Sequence, residues 1–159
     1  MKRNVYIDFS YLALLASTFG AVIVLGAVVA PTIFSTSEIL YSTLIDNYNA
    51  GIIMGEIFRR FGYWAYFVAF VVVAYEFMMY KKGQRDAIIF GSSITVVFSA
   101  LMFSAVYSPK ILAMQRLGVE ATQSDTFRNI HIASEFDFKI LAIALLILFI
   151  RRLMLLKIQ

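Results

Sequence analysis

Long apolar runs alternate with shorter polar segments along this chain. Residues 9–30 and 87–107 contain no charged side chain, and residues 61–80 contain only Glu76. Each run is about 20 residues long, which is the length that an α-helix needs to cross ~30 Å of hydrocarbon. Tyrosines and Trp64 near the ends of residues 61–80 are typical of a membrane interface. The pattern predicts three transmembrane helices.

The last apolar run is shorter, because residues 140–150 lie between Lys139 and Arg151. We predict a fourth transmembrane helix over residues 138–156. Its uncharged part is too short to cross the membrane, so the span must include charged residues at one of its ends. Either Arg151 and Arg152 extend to the membrane surface, or the charges that precede residue 140 lie below the headgroups. The sequence leaves both arrangements open.

Two polar segments separate these runs on one side of the membrane. In residues 32–60, Ser35 and Glu38 match a capping box for a short surface helix, and a further helix is expected to begin near Asn47. Pro31 is expected to end or kink the first span, and Pro109 to break the third. Gly118 and Ser124 should end a short helix and cap the final one, respectively. The predicted fold is all-α: an integral membrane four-helix bundle forming one membrane domain over residues 1–159, with short amphipathic helices in two extracytoplasmic excursions.

Small residues in the first span indicate close helix packing. Ala16 with Gly20, and Gly26 with Ala30, form two pairs four residues apart, a spacing that lets helices approach. A leucine at Gly20 is therefore expected to separate the helices.

Composition and charge agree with a membrane protein. The chain is 61% hydrophobic and has no cysteine, so disulfides, thiolate metal sites and cysteine nucleophiles are excluded. Lysine and arginine are concentrated in residues 1–8, residues 81–86 and the C-terminal tail, which places both termini in the cytoplasm and the protein in the inner membrane. The basic residues do not cluster for nucleic acid. The expected partners are the lipid bilayer and either a second copy of the chain or a membrane partner subunit.

Two sets of charged residues are expected at the outer ends of the second and fourth spans. At helical spacing, Arg128, His131, Glu135 and Lys139 share one face, whereas Asp137 points the opposite way. Charges near hydrocarbon need partners, so we expect Glu56 to pair with Arg60 or Arg128, and Glu135 with Arg59, Lys139 or His131. The arrangement is either a lattice of salt bridges or a polar pocket with His131 as ligand or proton carrier. The candidate binding residues are Glu56, Arg59, Arg60, Arg128, His131, Ser134 and Glu135.

Cofactor chemistry has little support in the sequence. The chain has one histidine and no cysteine, and its methionines are scattered. We predict no cofactor; haem or copper would have to bind through His131, and a dimer would supply two copies of it. The metal, if there is one, is unknown.

Short motifs precede or end three of the spans. They are a Gly20…Pro31-x-x-Phe34 pattern, Ala50-Gly51 with Gly55 and Ile57-Phe58, and Phe127-x-x-x-His131-x-x-Ser134. With four spans and two excursions, the chain resembles a small membrane family of unknown function related to a eukaryotic transmembrane protein linked to cisplatin resistance. The resemblance implies no established reaction. It implicates Gly20, Pro31, Gly51, Gly55, Phe58, His131 and Ser134.

Three functions remain open from the sequence. The first is a transport or binding bundle that handles a small solute or metal in a polar pocket at its outer face. The second is a structural or accessory subunit of a membrane complex, which is favoured if side chains alone fill the space between the second and fourth spans. The third is a haem-binding membrane oxidoreductase. An enzymatic activity is the weaker expectation.

Overall fold

The computed structural model describes residues 5–40 and 45–157. The basic residues Lys2 and Arg3 and residues 41–44 of the expected surface helix lie outside the described residues. In chain order the described helices are α1 (Val5–Val24), α2 (Ala30–Phe34), α3 (Thr36–Ile39), α4 (Asn47–Lys81), α5 (Ala87–Leu101), α6 (Ser108–Arg116), α7 (Val119–Thr122) and α8 (Asp125–Lys157). Two π-helical segments, Leu25–Val29 and Met102–Tyr107, lie between α1 and α2 and between α5 and α6.

Three of the helical rods are long and apolar enough to cross a membrane. They are Val5–Phe34, Asn47–Lys81 and Ala87–Arg116, of 30, 35 and 30 residues. Each contains one of the predicted spans. The fourth rod, α8, has 33 residues, and charges at both ends of its apolar middle leave it outside this group. A fourth crossing therefore stays a prediction.

The expected break at Pro109 is wrong, and Pro31, which was expected to end or kink the first span, does not end it. Pro31 and Pro109 each lie two residues beyond a π-helical segment, and the chain stays helical through both. A proline lacks the N–H that would bond four residues back, and a π turn already shifts that bonding pattern. The third rod consequently extends to Arg116, so residues 108–116 continue it.

The first polar segment also differs from its prediction. Ser35 makes no side-chain capping bond, and the helix that follows it, α3, has only four residues. The expected capping box is therefore wrong. Other predicted boundaries are confirmed: α4 begins at Asn47, where the Asp46 side chain accepts a hydrogen bond from the Asn49 N–H at 2.7 Å, and the Ser124 Oγ accepts one from the Phe127 N–H at 3.2 Å.

Neighbouring rods run in opposite directions. Contacts at one end join the start of α1, the end of α4, the start of α5 and the end of α8. α8 packs mainly against α5 and α1, whereas α4 packs mainly against α5 and α6. α4 and α8 consequently lie across the assembly from each other. The buried core between the rods is aliphatic and includes Leu15, Val68, Val72, Val96, Leu145 and Leu148.

The outward faces of the rods are apolar as well. Phe70 is 72% exposed, and other large side chains of α4, α5 and α8 are similarly uncovered: Phe67, Phe77, Phe90, Phe98 and Ile143. A water-soluble protein rarely exposes so much contiguous apolar surface, whereas hydrocarbon solvates it. The fold is thus consistent with a membrane-embedded protein.

The glycines implicated by sequence have different surroundings. A Cβ at Gly55 would lie 2.6 Å from Gln115 Oε1 and 3.0 Å from Leu112 Cδ2, whereas one at Gly20 would meet nothing within 4 Å. The expected packing role of Gly20 is therefore wrong, since this residue faces outward. A Cβ at Gly26 would make only an ordinary contact with Phe138, at 3.9 Å. Gly51 accepts a hydrogen bond from Gln115 Nε2 at 2.8 Å, so Gly51 and Gly55 together seat α6 on α4.

A pair of leucine substitutions tests this assignment. Gly55→Leu should destabilise the protein by ~1–3 kcal/mol, because the added side chain overpacks a contact that Gln115 already fills. Gly20→Leu is the matched control and should leave stability within ~0.5 kcal/mol of the wild type, as outward substitutions usually do. Thermal unfolding in one detergent compares them; a larger loss for Gly20→Leu than for Gly55→Leu contradicts this packing.

Candidate functional site

The charges at the start of α4 form a local cluster. Arg59 Nε lies 2.6 Å from Glu56 Oε2, and Arg60 Nε lies 2.8 Å from Glu56 Oε1. Arg59 also donates a hydrogen bond to the Tyr63 hydroxyl at 2.9 Å. The predicted pairing of Glu56 with Arg60 is therefore confirmed, and both partners remain substantially exposed.

The charges at the start of α8 likewise pair along their own helix. His131 Nδ1 lies 3.2 Å from Glu135 Oε1, and Arg128 lies 2.8 Å from Asp125. The predicted pairing of Glu135 with His131 is confirmed. Ser134 is buried and donates its hydroxyl to the His131 carbonyl at 2.7 Å, so its hydrogen-bonding capacity is used within the helix.

The two clusters are not joined to each other. Among residues 5–40 and 45–157, no ion pair or hydrogen bond connects Glu56, Arg59 or Arg60 with Arg128, His131 or Glu135. Local partners and solvent exposure meet the need for charge compensation, so no pairing across the assembly is required. A binding role for these residues stays a prediction.

Aromatic side chains fill the space between α4 and α8 near this end. The Phe103 and Phe138 rings lie 4.8 Å apart, and Phe58 lies 5.2 Å from Phe103 and 5.4 Å from Phe138. Phe61 completes the cluster at 5.7 Å from Phe138. Edge-to-face packing at these distances is favourable, and it leaves the polar residues on the outside. The pocket expected between these helices is thus occupied by phenylalanine.

A groove does open at this end of the assembly, which we call the outer end after its predicted orientation, but it lies between α4 and α6. Its volume is about 290 Å³, and its walls carry Arg59 from α4 and Arg116 from α6. Two serines and two tyrosines also line it: Ser104, Ser108, Tyr63 and Tyr66. Of the sequence-predicted binding residues, only Arg59 contributes to it. We call this feature the outer groove.

One polar atom of the outer groove lacks a partner. The Ser104 side chain is 6% exposed, and within the described residues its hydroxyl makes no hydrogen bond. Arg116 is exposed and has no acidic partner there, while the charge of Arg59 is offset by Glu56. The groove therefore combines surplus positive charge with an unused hydroxyl.

The opposite end, which we call the inner end after its predicted orientation, contains a buried polar network that sequence reasoning missed. Arg152, 3% exposed, donates from Nε to Glu76 Oε1 at 3.0 Å, and a second guanidinium nitrogen contacts Glu76 Oε2. Tyr11 donates to the same Glu76 at 2.8 Å. The Arg152 guanidinium also donates to Gln84 Oε1 at 2.8 Å. We call this the inner network, and it connects α1, α4 and α8.

Two tyrosines extend the inner network. The Tyr75 hydroxyl donates to Asp8 Oδ1 at 2.6 Å, and Asp8 is only 1% exposed. The Tyr75 ring stacks on Tyr11 with centroids 3.7 Å apart, and the Arg152 guanidinium lies 5.2 Å from the Tyr75 centroid. In the sequence, Glu76 stands inside an apolar run and is expected to reach either the surface or a basic partner. The structure supplies a basic partner, Arg152, which comes from a distant part of the chain and which spacing alone could not identify.

Asp86 makes a second contact between helices at the inner end. Its Oδ1 caps α5 by accepting from the Ile88 and Ile89 N–H groups, each at 3.0 Å, and its Oδ2 accepts from Arg151 at 2.7 Å. The Arg151 hydrogen bond, aided by the backbone N–H groups, lowers the pKa of the Asp86 carboxyl. Arg151 and Arg152 therefore both have specific acidic partners near the end of α8.

Metal binding gains no support from the geometry. Within the part of the chain that the structure describes, no three histidine, cysteine, aspartate or glutamate side chains come together in an arrangement that could hold a metal ion. The sequence prediction of no cofactor, with His131 as the residue through which haem or copper would have to bind, stays a prediction.

Comparison with known families assigns most of the chain to one family. The family described as "Domain of unknown function (DUF4149)" matches residues 13–120, about two thirds of the chain. The chain belongs to this family. No curated protein and no solved structure matches it. The DUF4149 match includes the outer groove and Glu76 but not α8, so His131 and Arg152 lie outside the matched region.

The ion pair between Asp86 and Arg151 predicts a pH dependence of stability. The pKa of Asp86 is lower in the folded protein than in the unfolded chain. The Asp86–Arg151 ion pair therefore contributes stability above the ordinary aspartate pKa, and this contribution is lost as the pH falls through the folded-state pKa. Asp86→Asn should therefore lower the melting temperature by a few degrees at pH 7 but not at the acidic end, since asparagine still caps the helix.

Asp125→Asn serves as the control for this measurement, because the Asp125 side chain is 83% exposed and pairs only along its own helix. A melting temperature recorded against pH for all three proteins gives the comparison. A difference between wild type and Asp86→Asn that grows as the pH falls contradicts a lowered pKa for Asp86 in the folded protein.

Proposed function

We propose that this DUF4149 protein is an integral membrane protein with four crossings and cytoplasmic termini, which binds a small phosphate- or carboxylate-bearing anion in the outer groove. The observation that carries the proposal is the unpartnered, buried Ser104 hydroxyl in a groove that also contains Arg59 and Arg116. Arginine recognises phosphate and carboxylate through paired N–H groups, and a serine hydroxyl adds a neutral donor.

The chemistry fits two sources of anion. The groove opens beside Tyr63 and Tyr66, which are 64% and 41% exposed, and tyrosine is favoured at the level of lipid headgroups. A phospholipid headgroup could enter sideways, and a free anion could enter from the outer solution. Both would present the same oxygen atoms to Arg116 and Ser104.

The phenylalanine cluster bears on the choice among the functions left open by the sequence. Phe58, Phe103 and Phe138 occupy the centre near the outer end, which argues against passage of a solute between α4 and α8. Binding at a lateral groove does not need such a passage. Metal handling and haem-dependent oxidoreduction have no comparable support. The relationship to the eukaryotic protein linked to cisplatin resistance also stays a prediction.

A structural or accessory role is the second candidate. It is favoured by the filling of the space between α4 and α8 and by the exposed ion pairs at their outer ends, which a partner subunit could contact. In that case the outer groove would hold a structural lipid and the protein would have no transported substrate.

Titration of the purified protein with inorganic phosphate and with phosphatidylglycerol tests the proposal. Phosphate binding is followed by thermal shift and lipid binding by native mass spectrometry. Arg116→Gln should weaken binding roughly tenfold or more, because a charged hydrogen bond is worth ~1.5–3 kcal/mol. Ser104→Ala should also weaken binding without loss of stability, since the hydroxyl has no partner to lose.

Lys110→Gln is the matched control, because Lys110 is an exposed cation on the same helix that does not line the groove. An effect with phosphate identifies a soluble anion, and an effect with the lipid alone identifies a headgroup. Equal weakening by Lys110→Gln and Arg116→Gln, or no binding of either ligand, contradicts the proposal.

A further inference from the structure

A buried carboxyl on α8 belongs to neither the outer groove nor the inner network. Asp137 is 8% exposed, and its Oδ2 atom is buried without a hydrogen-bond partner among the described residues. The Ser99 hydroxyl on α5, itself 1% exposed, lies within hydrogen-bonding reach of the Asp137 carboxyl. The carboxyl therefore lies in the interface between α5 and α8.

No charged partner reaches this carboxyl among the residues that the structure describes. α5 contains no ionisable residue, and the π-helical segment Met102–Tyr107 offers only Tyr107. The cations of α6, Lys110 and Arg116, are exposed on the outside. On α8, the side chains of Glu135 and Lys139 are exposed on another face, and the ionisable groups of α1 lie at the inner end.

Both helices place the carboxyl at the same depth. Asp86 and Arg151 meet at the inner end, and Ser99 and Asp137 each lie roughly four helical turns from them along α5 and α8. At ~5.4 Å per turn, this spacing gives ~20 Å from that end. With the Asp86–Arg151 contact at the inner headgroups, Asp137 lies well inside the ~30 Å hydrocarbon layer.

We propose that Asp137, together with Ser99, is an intramembrane proton-binding site. An unpaired carboxylate in hydrocarbon is costly, and a proton removes its charge. A metal cation is a poorer fit, because the two carboxyl oxygens and the Ser99 hydroxyl supply three oxygen ligands where hard cations take six or more. Proton binding here rests on the proposed crossing of the membrane by α8, but not on anion binding in the outer groove.

Carbodiimide labelling of the protein in phosphatidylcholine vesicles tests the site. The O–H of a carboxylic acid adds across one C=N bond of dicyclohexylcarbodiimide: oxygen bonds to carbon, the proton moves to nitrogen, and an acyl shift to nitrogen leaves a stable adduct. Peptide mass spectrometry should find the adduct on Asp137 at neutral pH and its loss at alkaline pH, since the carboxylate lacks the proton that the addition needs.

Three variants sharpen the result. Asp137→Asn should abolish the adduct, and Ser99→Ala should change the pH midpoint of labelling, because the hydroxyl lies beside the carboxyl. Arg116→Gln should leave labelling unchanged, which separates this site from the outer groove. Labelling of Asp137 by a water-soluble carbodiimide as readily as by the apolar reagent, protection by sodium ions, or no adduct on Asp137 at any pH overturns the proposal.

Discussion

The buried ion pair between Glu76 and Arg152 is the interaction on which the arrangement of the long helices depends. It joins the end of α4 to the end of α8, two helices that otherwise lie across the assembly from each other. Tyr11 brings α1 to the same carboxylate, and Gln84 brings the connection between α4 and α5 to the same guanidinium. In a membrane the hydrophobic effect does little to hold helices together, so hydrogen bonds and close packing must fix their relative positions.

The two ends of the protein use charge in different ways. At the inner end, Asp8, Glu76 and Arg152 are buried and hydrogen-bonded between helices. At the outer end, the pairs Glu56–Arg60 and His131–Glu135 each lie along a single helix and remain exposed. Exposed pairs contribute little to stability, because water and side-chain entropy offset the attraction. The buried contacts of the inner end therefore fix helices relative to one another, whereas the exposed polar groups of the outer end are accessible to other molecules.

Much of the fold is predictable from the sequence, because apolar run length and capping residues are local signals. The helical rods containing residues 9–30, 61–80 and 87–107 follow from these signals, as do the start of α4 at Asn47 and the Ser124 cap. The continuation of the helices through both prolines does not, because a π-helical turn depends on the neighbouring helices. Spacing alone also cannot separate the close packing of Gly55 from the outward direction of Gly20, since both lie in helices that a neighbour can approach from several sides.

The candidate sites are harder to predict because they depend on which helices become neighbours. Helical spacing predicts the pairs within α4 and within α8. It cannot show that α6 packs on α4 and brings Arg116 near Arg59, or that Arg152 meets Glu76. The opposite direction of Asp137 is visible in the sequence, but its isolation is not. Both functional proposals rest on a buried polar group without a hydrogen-bond partner among the described residues. These groups are the Ser104 hydroxyl and the Oδ2 atom of Asp137.

A double-mutant cycle between Glu76 and Arg152 tests the central claim most directly. The free energy of unfolding is measured in mixed micelles for wild type, Glu76→Gln, Arg152→Met and the double variant. Each single change should cost ~3–5 kcal/mol, because it leaves one buried charge uncompensated. The double variant should cost clearly less than the sum of the two single costs. Additive costs, or single costs below ~1 kcal/mol as for exposed pairs, would contradict the claim that this ion pair holds the helices in place.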